Sequence, residues 1–182
     1  MLRERFRRLS LVVLLVLAAS SGGQAHSPKH HTFSGFIADS TVLSAGSWVI
    51  HGVWSADMRD GKGGSPDTAD FSAALTMERS DYWLLTTSGA DADNPATRNA
   101  HTHHIALAGA TVTPITGGIR IAGPATITAN GSVAPFGTSS TLQIDITGST
   151  IVTFSNVKLT FGGDAVAHFG SQALAGVVRG AN

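Results

Sequence analysis

Apolar and polar residues alternate with a period of two along most of this chain, and glycine-rich turns interrupt the alternation at strand-length intervals. Leu142, Ile144 and Ile146 share one face, while Gln143, Asp145 and Thr147 share the other. Phe71, Ala73, Leu75 and Met77 alternate with Ser72, Ala74, Thr76 and Glu78, and Val157, Leu159 and Phe161 with Asn156, Lys158 and Thr160. Successive side chains of a strand point to opposite faces, so this is the pattern of strands buried on one side only. Helical periodicity is almost absent.

Turn signals fall at Gly117-Gly118, Asn130-Gly131, Gly148-Ser149 and Gly162-Gly163. Asn130-Gly131 is the strongest of them, because both residues tolerate the positive φ of a two-residue hairpin. Strands are expected at 33–38, 47–58, 70–79, 82–87, 101–108, 110–115, 118–129, 140–147, 150–161 and 174–179. So many strands in one domain must close on themselves or split into two sheets. The expected fold is all-β: a single antiparallel β-barrel, or a closed sandwich, of eight to ten strands. Mostly sequential hairpins favour the barrel. Two longer loops interrupt it, at 59–69 and 88–99.

The first 25 residues do not belong to that pattern. Arg3, Arg5, Arg7 and Arg8 precede an apolar run over 9–19, and Gly23-Gln24-Ala25 offers small residues to signal peptidase. The run falls short of the roughly 20 residues a membrane-spanning helix needs. Residues 1–25 are therefore expected to be a cleaved signal peptide, 26–32 a flexible histidine-rich tail, and 33–182 the β-barrel domain. The expected location is secreted or periplasmic, with no integral membrane segment after cleavage.

Removing the leader takes away four basic residues and one acidic residue and leaves a net charge of −3 on 157 residues, with His neutral. That charge offers no footprint for nucleic acid. The chain has no cysteine, which excludes disulfides, thiolate metal sites and cysteine nucleophiles. It also lacks a G-x-S-x-G elbow, an H-E-x-x-H helix and a phosphate-binding glycine loop. An outer-membrane barrel would need lipid-facing strands with aromatic girdles, and this chain has a single Tyr.

The chemical signal is His101-Thr102-His103-His104. On a strand, His101 and His103 lie on one face about 6.5–7 Å apart, and Ile105 and Leu107 continue that face. Two imidazoles so placed suit zinc, copper or iron. A third ligand must come from elsewhere, with His168, in a sheet-edge segment before the closing strand, ahead of His51 and Glu78. The competing reading is that these histidines cap a strand end and bond to loop carbonyls.

Weaker candidates are His26, which as a new N-terminus could chelate copper through its amino group and ring, and Asp91 and Asp93 in an oxygen-rich loop. Asp60, Asp67 and Asp70 form a second acidic group, but neither loop follows a calcium-binding order. Asp and Asn there are expected to bond to turn backbone.

Two functions fit these residues. One is an exported barrel that binds a small apolar ligand or serves as an envelope or extracellular module, with Trp48 and Trp54 packed in its core. The other is an enzyme dependent on a divalent transition metal held by the H-x-H strand.

Overall fold

The structure is a computed structural model and describes residues 29–44, 46–80, 99–130, 132–133, 139–148 and 155–182. Three long strands come first, β1 (His30–Leu43), β2 (Gly46–Arg59) and β3 (Thr68–Arg79), followed by β4 (His101–Ile115), the longest of all. Next come β5 (Gly118–Pro124), β6 (Thr126–Ala129) and the two-residue β7 (Ser132–Val133). Then β8 (Thr141–Thr147), β9 (Asn156–Gly162) and β10 (Leu174–Ala181) complete the sheet.

All pairings are antiparallel, in the order β3-β2-β1-β10-β9-β8-β5-β4, and β3 pairs with β4 to close the ring. The result is an eight-stranded barrel in which neighbours in sequence are neighbours in space. Closure leaves none of these strands as a free edge, which is the physical advantage of a barrel over an open sheet.

Strand β6 continues β5 along β4, and Ala129 pairs with Ser132 across Asn130-Gly131. Asn130 has a φ of 47°, as this hairpin requires. The sequence places one strand at 101–108 and another at 110–115, whereas β4 runs through both with a bulge between them. Inward positions are His103, Ile105 and Leu107 before the bulge and Ala110 and Val112 after it. The extra residue shifts the phase by one. Gly109, at a φ of 58°, sits in the bulge and donates its N–H to Asp70 Oδ1 at 2.8 Å.

An eight-stranded barrel is just wide enough for side chains to fill. The inner face carries Ile37, Ile50, Trp54, Phe71, Leu75, Met77, Ile105, Ile121, Ile144, Leu159 and Val178, all buried. Trp48 and Trp54 are core residues, as expected. Trp54 stacks on Phe71 with centroids 6.1 Å apart. Two hollows, of about 450 and 560 Å³, are lined mostly by outward-facing residues such as Ser34, Ser55 and Asp57, or Thr141, Gln143 and Thr160.

Strand β1 begins three residues before the expected start of the domain, so His30, His31 and Thr32 pair with Arg59, Met58 and Asp57 rather than trailing as a tail. The loop between β2 and β3 is pinned by Gly61 donating to Asp67 Oδ1 at 2.8 Å and Ser65 donating to the Lys62 carbonyl at 3.1 Å. Asp70 accepts from Arg59 at 2.6 Å as well as from Gly109, and these two donors, Gly109 first, hold its carboxyl below the ordinary value. Asp67 and Asp70 thus serve backbone and arginine, in line with the turn reading, while Asp60 faces His31 at 3.9 Å. The expected strand 82–87 lies outside the described residues, as do the Asp91 and Asp93 loop, residues 149–154 and everything before residue 29. Among the described residues, no helix is long and apolar enough to cross a membrane.

Candidate metal centre

Between β9 and β10 the chain leaves the sheet. A 3-10 turn (Gly163–Ala165) runs into a one-turn helix, α1 (Val166–Phe169). The sequence reading places His168 in a sheet edge; the structure corrects this and puts it on α1. The local reason is legible. Gly163 and Gly170 bracket the segment at φ values of 63° and 85°, which break strand geometry on both sides. Ala165 and Phe169, four residues apart, share the buried face.

Phe169 anchors α1 over one mouth of the barrel. It is fully buried and stacks on Phe161 with centroids 4.0 Å apart and planes 9° from parallel. Hydrogen bonds hold the flanks. Ser139 donates its hydroxyl to Asp164 Oδ2 at 2.7 Å, and Gln172 donates to the Ser40 carbonyl at 2.6 Å. Ala175 donates its N–H to Asp39 Oδ2 at 2.8 Å, spanning the place where β1 and β10 have parted.

This cap delivers His168 to the two histidines of β4. His168 Nε2 lies 2.8 Å from His103 Nε2 and 3.2 Å from His101 Nε2. All three ligand atoms fall within 4.8 Å of one another. Met77 pairs with His101 and Leu75 with His103, so both rings stand on the inner face at the rim. Asn130 fixes the strand between them, accepting from the Thr102 N–H at 3.0 Å and donating to its carbonyl at 2.8 Å. Thr102 itself points outward.

The tautomers follow from the partners. His101 Nδ1 lies 2.7 Å from the Asn99 carbonyl oxygen, which can only accept, so Nδ1 carries the proton and Nε2 turns its lone pair to the centre. Three neutral rings meeting at their Nε2 atoms can then share at best one N–H. A cation uses every lone pair at once. Two nitrogens bound at about 2.0–2.1 Å to one tetrahedral ion sit about 3.3 Å apart, and the contacts here, 2.8 and 3.2 Å, fall short of that separation by about half an ångström or less.

Electrostatics keep the centre ready for a cation. Burial, and then the neighbouring His168 and His101, lower the His103 pKa from 6.5 to about 4. Burial, and then His101, lower His168 too. His103 therefore stays neutral and able to ligate well below the ordinary imidazole range, and His168 is shifted in the same direction.

A stability prediction follows. The unfolded chain takes up a proton near pH 6.5 that folded His103 refuses until about pH 4. The metal-free protein should therefore be stable above pH 6.5 and lose about 3 kcal/mol from His103 alone as pH falls through that window. Urea midpoints at pH 7 and pH 4.5 measure this. The drop should shrink in His103→Gln, and an equal drop in that variant would contradict the assignment.

The other sequence candidates stand apart. His51 is exposed on the outer face of β2, because it alternates with Trp48 and Ile50, and Glu78 alternates with the inward Met77 and Arg79. Neither joins the cluster. His104 is exposed on the outer face of β4. His26, Asp91 and Asp93 lie outside the described residues. The bond from His101 to the Asn99 carbonyl is of the kind the strand-capping reading expects. Sequence reasoning missed Phe169 as the anchor of the cap and Trp48 as a neighbour of the site, which meets His101 in a T-shaped contact at 5.9 Å. The apolar spacing of Ala165 and Phe169 between two glycines was the available signal for the cap. No family model, curated protein or solved structure matches this chain, so the chemistry of the centre follows from its own geometry.

Proposed function

We propose that this protein is an exported, metal-dependent barrel enzyme whose centre is a divalent transition ion held by His101, His103 and His168. The observation that carries the reading is the convergence of three Nε2 atoms, at 2.8 and 3.2 Å along its two short edges, from β4 and from the cap. All-imidazole ligation suits zinc and copper, and three protein ligands leave a fourth position open, as in catalytic rather than closed structural sites. The hydrogen bond from His101 Nδ1 to Asn99 is the outer contact that commonly fixes a ligating ring. Among the described residues the inward side chains are buried, which favours chemistry at the mouth over an apolar cargo in the lumen. Secretion or periplasmic residence rests on the leader signature.

Metal content tests this. His26, His30 and His31 are first replaced by Ser, because surface histidines bind metal on their own. After dialysis against zinc or copper, the chain should retain about one ion, and His168→Ala should not. Retention of none, or equal retention by His168→Ala, would end the reading.

A further inference from the structure

Left-handed backbone is a local cost for a residue with a side chain, and it persists where the surrounding structure holds it there. Among the described residues, two non-glycine residues have a positive φ, Asn99 at 50° and Asn130 at 47°. One precedes β4 and the other follows β6. Both bond to the short segment of β4 that carries two of the three histidines.

The two act on that segment differently. Asn99 offers its main-chain carbonyl, which accepts from His101 Nδ1 at 2.7 Å and so fixes how that ring turns. Asn130 brackets Thr102. Its side-chain Oδ1 accepts from the Thr102 N–H at 3.0 Å, and its own N–H donates to the Thr102 carbonyl at 2.8 Å. Thr102 is the residue between His101 and His103, so holding both of its main-chain groups fixes the angle and spacing at which the two rings leave the strand. Thr76 on β3 meets the Thr102 side chain instead, hydroxyl to hydroxyl at 3.2 Å.

We propose that Asn99 and Asn130 are positioning residues of the histidine centre: the first aims His101, and the second holds His101 and His103 at the spacing one ion requires. This rests on the metal reading above. Ligands held in place before the ion arrives lose less freedom on binding, and groups that hold ligating rings from outside commonly contribute about 10–100-fold in affinity. Turn geometry alone makes a different demand. Glycine adopts a positive φ freely, so it would serve at both positions if only the turns mattered. The proposed roles separate the two. At Asn99 the working atom belongs to the main chain, which glycine keeps. At Asn130 one of the two working atoms belongs to the side chain, which glycine lacks.

The reference is the cobalt(II) affinity of the His26, His30 and His31 serine variant, measured by competition with a chromophoric chelator, and urea midpoints check that each further variant folds. Asn130→Gly should bind cobalt about 10–100-fold more weakly, and Asn130→Asp, which restores the acceptor, should return to within a few-fold of the reference. Asn99→Gly should bind as the reference does. Asn99→Val, whose branched side chain resists a positive φ, should bind about tenfold more weakly. Thr76→Val touches the Thr102 side chain rather than its main chain and should leave the affinity unchanged. Equal affinity in Asn130→Gly and the reference, or a loss in Thr76→Val as large as that in Asn130→Gly, would overturn the role of Asn130. Equal affinity in Asn99→Val would overturn that of Asn99. Either result leaves the metal centre standing, whereas a reference that takes up no cobalt would remove both. Should Asn130→Gly not fold, the reference protein decides. Coupling between clamp and ion is reciprocal, so zinc should slow hydrogen exchange at the Thr102 amide more than at the amides of β8, and equal slowing would overturn the clamp.

Discussion

Replacing His101 and His103 together with alanine should weaken zinc or copper binding by at least about 10⁴-fold. Structural zinc sites with four ligands release about 10–16 kcal/mol, or about 2.5–4 kcal/mol per ligand. Removing two leaves His168 alone, a single imidazole on a short helix, and each 1.4 kcal/mol lost is a factor of ten. The barrel should survive, because the inner face below the rim is carried by residues such as Leu75, Ile105 and Leu159 rather than by the histidines. Competition against a chromophoric chelator measures the affinity, and far-ultraviolet circular dichroism checks the fold. The double variant also lacks the buried His103 ring itself, so it should lose the acid sensitivity assigned to that residue. Near-parental affinity in a folded double variant would mean that the ion sits elsewhere.

The legible and illegible parts of this fold divide along one physical line. Alternation along a single strand can be read directly. The strands β1, β2, β3, β8 and β10 all fall on the expected segments, and the Asn130-Gly131 hairpin forms where its turn chemistry requires. Alternation also carries the fates of His51 and Glu78, since each follows a buried residue by one position and so faces away from it. Phase is harder. At Gly109 one inserted residue swaps inside for outside, so the same strand presents as two segments. The bulge depends on Asp70 of β3 meeting the Gly109 N–H, a partner 39 residues away that local pattern cannot supply.

The candidate site divides in the same way. His101 and His103 are paired by strand geometry alone, and the sequence identifies them as one face. His168 is brought to them by barrel closure and by the crossing of the cap, which are tertiary facts. Between Gly163 and Gly170 the period changes from two toward that of a helix for a single turn, too short a window for periodicity to register. Trp48 comes beside His101 through the register of β2 on β3 and of β3 on β4, which is fixed only once all three strands are paired.

The cap also predicts how the centre and the barrel are coupled. Phe169→Ala should destabilise the protein by about 3–5 kcal/mol, the usual cost of emptying a fully buried phenylalanine site. Phe169 is 0% exposed, stacks on Phe161, and packs edge-on to His103 at 4.9 Å and to His168 at 5.1 Å. Its ring is therefore both the plug of the barrel mouth and the floor of the histidine cluster. Truncation frees α1 to lift, and His168 leaves with it, because the helix has only one turn and its own backbone cannot hold the ring in place. Saturating zinc should recover part of the loss, since an ion binding only the closed form stabilises it by mass action. Chemical denaturation of the parent and of Phe169→Ala, each with and without zinc, tests both claims at once. The zinc-dependent gain in stability should be smaller in the variant, because closing the cap there draws on the metal-binding energy. A variant that loses less than about 1 kcal/mol would show that the mouth is held by the Asp164, Gln172 and Asp39 hydrogen bonds alone, against the packing-driven closure argued from Phe169.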